Sequence, residues 1–297
     1  MEIKHLKHHE IDIRKWDHAI SNAHNSLVYA ESWYLDIESP NWEALIFGDY
    51  DYVMPLPVKK KYGFSFLVQP PLTQQLGIFS QKNIEESIID CFIQNIPYKS
   101  YHLNLNEQNH YSKGIKQPNY ILNLSKDYDA IFSEYSKNTK RNVKKSYLFN
   151  PYVKTDLSVN DFLKFYHAVE KNYHALPKKK VDLLVEKVLK NKKGTIFGAF
   201  NANNELMSAL FLLHSPQRLI YLLPVSNNEG KETLAMFRIV DEIIRNYSNQ
   251  NCSLDFAGSC VKSVSQFYQG FGATEKSYFM TKYRSVNSLI ESLFFWK

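Results

Sequence analysis

Three side chains between positions 252 and 273, in the run CSLDFAGSCVKSVSQFYQGFGA, have the types and spacing for chemistry: Asp255, Ser259 and Tyr268. Asp255 interrupts an apolar run, where an unpaired carboxylate costs on the order of several kcal/mol. It must be paired, or stand at the open end of a strand. There it could act as a general base, or it could hold the Gly258-Ser259 turn by hydrogen bonds. Tyr268 carries a phenol, a group that can serve as a general acid. Phe267 and Phe271 stand beside it, so a packed core tyrosine is the competing reading.

A second candidate is a basic helical face. Lys137, Lys140, Arg141, Lys144 and Lys145 recur at three- and four-residue steps, which puts them on one side of a helix. No acid lies between 137 and 145, so i,i+4 ion pairs do not account for them. A phosphate-bearing donor or an acidic acceptor would use such a face; a solvated surface is the plain alternative. No aromatic residue interleaves the run, so it offers stacked bases no platform. Tyr173 and His174 fall in a loop between two expected helices, where they either touch substrate or cap a helix. His8 and His9 have no second cluster to complete a metal site, and no metal is expected.

The elements that position these residues follow from periodicity. Positions 252–256 read as a buried strand, and Gly258-Ser259 ends it. Val261, Val264, Phe267, Tyr268 and Phe271 recur at helical spacing, and Gly270 and Gly272 stop that helix. A strand at 277–284 follows. This is a βαβ-type order, and ligands of open α/β sheets collect at the carboxyl ends of such strands. Upstream lie strands at 195–200, 206–214 and 219–225 and a helix at 231–247. Helices at 158–173 and 178–190 precede them. The first half reads helix 11–23, helix 29–37, strands 42–47, 51–58 and 64–68, a stiff loop at Gln69-Pro70-Pro71, helix 83–96, and strands 100–105 and 120–124. A long helix at 125–148, basic in its second half, connects the halves and would border a groove between them.

The fold class is therefore α/β (α+β), in two domains at 1–124 and 125–297. Each should hold a mixed, largely antiparallel sheet flanked by helices. The composition agrees: 297 residues, 44% hydrophobic, 22% charged, net charge +6. The mild positive charge permits an anionic partner without demanding one. Cys91, Cys252 and Cys260 form neither a disulfide framework nor a zinc spacing. No apolar run approaches the ~20 residues of a membrane helix, and the start of the chain lacks a secretory core. A cytoplasmic protein is expected. At 286–296, Leu289, Ile290, Leu293, Phe294, Phe295 and Trp296 make too much apolar surface to leave wet, so that helix should pack on the body or pair two copies as a homodimer, with insertion into a membrane surface as the alternative.

The order of the second half, with the polar turn 226–232, the DFAGS run and FYQGFGA, resembles the GNAT acyltransferase fold. Two such units in tandem, joined by SKNTKRNVKKS, are similar to the Fem-type peptidyltransferases; Ser32-Trp33-Tyr34-Leu35 and Gln69-Pro70-Pro71 add to the likeness. The resemblance covers nearly the whole chain. It implies transfer of an acyl or aminoacyl group to an amine, on a small molecule or a cell-wall precursor, with no tightly bound cofactor. The implied donor is an acyl-CoA or an aminoacyl-tRNA. The resemblance makes Tyr268 the general acid and places donor contacts at Val225, Asn227, Asn228, Gly230 and Lys231. The turn carries one glycine, and Glu229 and Glu232 would repel a pyrophosphate. The hairpin that some Fem-type enzymes use towards tRNA has only 178–190 in its place. An acyl-CoA-dependent N-acetyltransferase and a non-catalytic binding protein of the same fold are the rival readings.

Overall fold

A computed structural model describes residues 2–61, 63–149, 152–169 and 176–284. The chain divides into two units. The first begins with β1 (Ile3–Leu6), α1 (Ile13–Asn22) and α2 (Ser32–Glu38). β2 (Glu43–Phe47), β3 (Tyr52–Leu56), β4 (Val58–Lys61), β5 (Phe64–Val68) and β6 (Phe79–Ser80) follow. α3 (Glu86–Gln94), β7 (Ser100–Asn104) and β8 (Ile115–Gln117) complete this part of the chain. Asp12 starts α1 by accepting hydrogen bonds from the amides of Arg14 and Lys15, and the helix buries Trp16 and Ile20.

β1, β2, β3 and β6 form one antiparallel sheet in that order, while β4, β5 and β7 belong to another. The strand expected at 51–58 is thus two strands. Pro57 has no N–H to give a ladder, and the chain changes sheets there. The loop after β5 is fixed by its own amide: Gln69 Nε2 donates to the Thr73 carbonyl at 2.6 Å, and Gln69 Oε1 accepts from the Asn104 amide at 3.0 Å.

The second unit opens with β9 (Tyr120–Asn123), α4 (Tyr128–Glu134), α5 (Lys137–Phe149) and β10 (Tyr152–Lys154). α6 (Val159–Ala168) and α7 (Lys178–Lys190) lead to the hairpins of β11 (Gly194–Phe200), β12 (Leu206–Ser215) and β13 (Arg218–Ser226). Then come α8 (Asn228–Glu232), α9 (Ala235–Tyr247), β14 (Ser253–Asp255), α10 (Lys262–Gly270) and β15 (Thr274–Glu275). Among the described residues the strands make one seven-stranded sheet, β10-β11-β12-β13-β14-β9-β15, in which β13 and β14 run parallel and the other neighbours antiparallel. Ile239, Val240, Ile243 and Ile244 of α9 and Leu254, Phe256, Tyr268 and Phe271 lie in its core. The last described strand, β16 (Tyr278–Arg284), returns to the first unit and pairs with β7 and β8.

Two expectations change here. The domain boundary is not at 124/125 with everything after it in one unit. It falls after Gln117, because β9 is an inner strand of the seven-stranded sheet, and β16 belongs to the first unit. The basic helix is not a connector either. It lies within the second unit, with Thr139, Val143 and Ser146 buried. The helix expected at 125–148 breaks at Tyr135, whose backbone is extended, and Ser136 caps the amide of Thr139 at 3.1 Å. The helix expected at 286–296 lies outside the described residues. Among the described residues no helix is long and apolar enough to cross a membrane.

Candidate active site

The parallel pair β13–β14 holds for only three residue pairs: Arg218 with Ser253, Leu219 with Leu254, and Ile220 with Asp255. These are all the residues of β14, and the pairing ends with it. β13 stays bound to β12 up to Ser226, while the chain after Asp255 leans towards β9, where the Phe256 amide donates to the Tyr120 carbonyl at 3.0 Å. The register between β12 and β13 slips where Phe211 faces Leu223 and Leu212 faces Tyr221, which leaves Leu222 as a bulge. A bulge bends its strand and sharpens its twist, and the slip lies next to the point where the β13–β14 pairing ends.

Tyr221, Phe256 and Tyr268 meet just past the end of this pairing, all three buried. Phe256 stacks on Tyr268 with centroids 4.6 Å apart, and Tyr221 meets Tyr268 edge-on at 5.9 Å. Tyr120 adds a fourth ring, 6.1 Å from Tyr268. Among the described residues, the hydroxyls of Tyr221 and Tyr268 have no hydrogen-bond partner within the protein. Burial raises the Tyr268 phenol above its ordinary value, and the nearby Asp255 carboxylate raises it further. Burial, then Tyr268, raises Tyr221. Both phenols therefore hold their protons across the ordinary working range, as a proton donor must.

Asp255 has a different part. It is buried, its Oδ2 accepts from Arg218 Nη1 at 3.0 Å, and its Oδ1 accepts from the Ala257 amide at 2.8 Å. Ala257 has φ 56° and Gly258 φ 65°, so the carboxylate holds a turn in the left-handed region. A carboxylate committed in this way is a poor base for an amine. The general-base reading gives way to the turn-fixing one. Ser259 has a similar duty, its hydroxyl accepting from the Val261 amide at 3.0 Å where α10 begins.

The turn after β13 does not fit a pyrophosphate. Asn227 caps α8 by accepting from the Gly230 amide at 2.7 Å, and the Lys231 amide donates to the Asn227 carbonyl. Gly230 is there for packing: a Cβ would stand 2.1 Å from the Met207 carbonyl oxygen. Val225 is buried and paired with Ala209. Asn228 is exposed on a helix of only five residues, beside Glu229. Gly230→Ala is expected to lower stability by about 2 kcal/mol or more, as overpacking does. Chemical denaturation without any donor measures this. Wild-type stability together with lost donor binding would return Gly230 to the site.

The basic face lies nearby along the fold. Ser136, at the start of α5, donates its amide to the Gly270 carbonyl at the end of α10 at 2.9 Å. Gly270 is required by this approach, since a Cβ there would stand 2.2 Å from Thr139 Oγ1. Lys140 Nζ donates to the Ser133 carbonyl at 2.7 Å, and Arg141 to Asn138 Oδ1 at 2.6 Å; Lys144 is exposed. Tyr173 and His174 lie outside the described residues. Sequence reasoning missed Tyr221 and Arg218. An acid in an apolar strand demands a cation, but only the parallel register identifies Arg218 as that cation.

Comparison with known proteins gives the fold. No family model and no curated protein matches the sequence. Among solved structures, FemX is similar over 99% of this chain and 100% of its own, with TM-score 0.69 and 10% identity. A GNAT-family acetyltransferase from Colwellia psychrerythraea aligns over 96% of this chain and 100% of its own, with TM-score 0.55 and 10% identity. The C-terminal domain of a lysylphosphatidylglycerol synthetase from Agrobacterium fabrum aligns over 95% of each, with TM-score 0.56 and 4% identity. The fold is therefore like that of FemX and of the GNAT-family acetyltransferase.

Proposed function

We propose that the protein is a Fem-like N-acyltransferase that moves an acyl or aminoacyl group from an ester to an amine. The observation that supports it best is the end of the β13–β14 ladder at Ile220 beside two phenols without protein partners among the described residues. Ladder groups of β13 beyond Ile220 have no β14 partner, and backbone N–H groups so released suit a developing oxyanion. In this reading the amine nitrogen attacks the donor carbonyl. A C–N bond forms and the bond to the leaving oxygen breaks. Tyr268 gives its proton to that oxygen and regains one from water, while the amine's surplus proton passes to solvent.

The names of the structural neighbours support the reaction class: an acetyltransferase, FemX and a lysylphosphatidylglycerol synthetase domain. An acyl-CoA donor is less favoured, because the α8 turn is closed by Asn227 and flanked by acids. An aminoacyl-tRNA ester and a cytoplasmic amine, on a small acceptor or a cell-wall precursor, are the substrates this reading names. Turnover assays with acyl-CoAs and charged tRNA against a panel of amines test it. Product from an aminoacyl ester is expected. No product and no melting shift with either donor class would leave a non-catalytic binding protein.

In the same reading the cations of α5 meet donor phosphates. Screening at physiological salt limits their reach to about 8 Å, so the phosphates must come close. Replacing Lys140, Arg141 and Lys144 together with glutamine is expected to weaken donor binding and flatten its salt dependence. The fold should survive, since exposed charges are worth about 0–1 kcal/mol each. Unchanged affinity and salt slope would make the face a solvated surface.

A further inference from the structure

The exposed side of α5 changes character along its length. Lys137, Arg141, Lys144 and Leu148 follow at steps of four, three and four, so they form one stripe, and all are exposed. Leu148 is 80% exposed, the most of any large apolar side chain among the described residues. Beside it runs a second pair, Lys145 and Phe149, with the Lys145 Nζ 5.9 Å from the ring centroid. Phe149 and Tyr152 are also exposed. Single apolar side chains on a surface need no explanation, but adjacent ones that end a cationic stripe do. No acid occurs from 135 to 155, although Lys137, Lys140, Arg141, Lys144, Lys145 and Lys154 all do.

The apolar surface continues into a groove. Tyr152 stacks on Phe200, with centroids 5.3 Å apart and planes 10° apart. Phe200 in turn lines a cavity of about 480 Å³ with Leu157, Phe165 and Leu206, rimmed by Lys154 and Lys164. Its one acid, Asp161, already accepts a hydrogen bond from Ser158.

We propose that this face binds the surface of a lipid bilayer that carries anionic headgroups. Lys137, Lys145 and Lys154 meet the headgroups, and Leu148 and Phe149 enter the boundary between headgroups and acyl chains. The groove offers room for one chain end. Charge complementarity selects this occupant: a second copy of the chain, itself carrying net charge +6, would bring cations against cations. The inference goes beyond the transferase reading and does not depend on it.

Co-sedimentation with vesicles tests it, using phosphatidylcholine alone and phosphatidylcholine mixed with phosphatidylglycerol. The intact protein should pellet with the mixed vesicles and far less with the neutral ones. Leu148→Ser/Phe149→Ser should lower partition at least about tenfold, with melting unchanged because both side chains are exposed. Lys145→Gln should lower it about fivefold at low salt, and less at high salt. A wild-type protein that stays in the supernatant with mixed vesicles would overturn the proposal. So would a double variant that pellets like wild type. Self-association of the wild type, lost in the double variant and without pelleting, would make the face a protein interface instead. None of these readouts uses transfer activity, so failure here leaves the transferase reading standing.

Discussion

Asp241→Ala is expected to lower the stability of the second unit by about 4 kcal/mol. Asp241 is fully buried in α9. Its Oδ1 accepts from the hydroxyls of Tyr128 at 2.9 Å and Tyr135 at 3.2 Å, and its Oδ2 from Tyr147 at 2.8 Å and Arg245 Nε at 3.2 Å. The Arg245 guanidinium also lies 3.7 Å from the centroid of the Tyr128 ring. One carboxylate therefore ties α4, the turn after it, and α5 to α9. Removing one partner of a buried charge pair costs about 3–5 kcal/mol, and each stranded hydroxyl adds to that. Arg245 is 45% exposed and can find water, which keeps the expectation in the middle of that range. Urea denaturation followed by tyrosine fluorescence measures it, with two units allowed two transitions. A loss under about 1 kcal/mol would show that the cluster does not hold the helices.

The same cluster sets an alkaline limit. Burial, with help from Asp241, raises the Tyr128, Tyr135 and Tyr147 phenols above their ordinary value. A raised folded-state pKa gives stability that is present in full below the unfolded value, about 10 for tyrosine. It is lost as pH rises beyond that value towards the folded one. Stability should thus be insensitive to these phenols at neutral pH and fall above about 10.

How much of this the sequence carried depends on range. Local signals did well at the Ser158 cap, the strands of the β11–β13 meander and the stop after Tyr268, but α6 ends at Ala168 and the helix expected at 231–247 divides at Thr233-Leu234, where Leu234 has φ 59°. Errors came where a long-range partner decides. Pro57 marked an edge, but nothing local said that the strand after it joins a different sheet. Residues 120–124 read as a strand of the first half, because the β14 and β15 neighbours that claim β9 lie about a hundred residues or more further on. Asp255 was recognised as needing a partner, and that requirement was right; the choice between base and turn waited for Arg218. Asp241 gave a weaker signal of the same kind, an acid among Ile239, Val240, Ile243 and Ile244, and its three tyrosines are scattered over 94 to 113 residues of separation.

Tyr268→Phe is expected to lower turnover by roughly 10²–10⁴ while the protein melts as wild type. The substitution removes one oxygen, and that oxygen has no partner within the described protein to lose. The ring keeps its stack on Phe256 and its edge contact with Tyr221, so the packing that holds α10 is untouched. The rate should respond because a leaving alkoxide is a strong base. Without a proton donor it departs slowly, and the carbonyl returns to reactant. That dependence gives a sharper check than the rate alone. An acid catalyst helps most when the leaving group is most basic, so the loss in Tyr268→Phe should shrink for donors with acidic leaving groups, such as activated aryl esters. A purely structural tyrosine would slow all donors alike. The pH profile adds a sign: since the phenol is raised above about 10, its loss of protons cannot bend the wild-type profile downward below that pH. A variant with wild-type turnover and wild-type melting would remove Tyr268 from the reaction. An equal slowing of every donor would reduce it to a packing residue beside the end of the β13–β14 ladder.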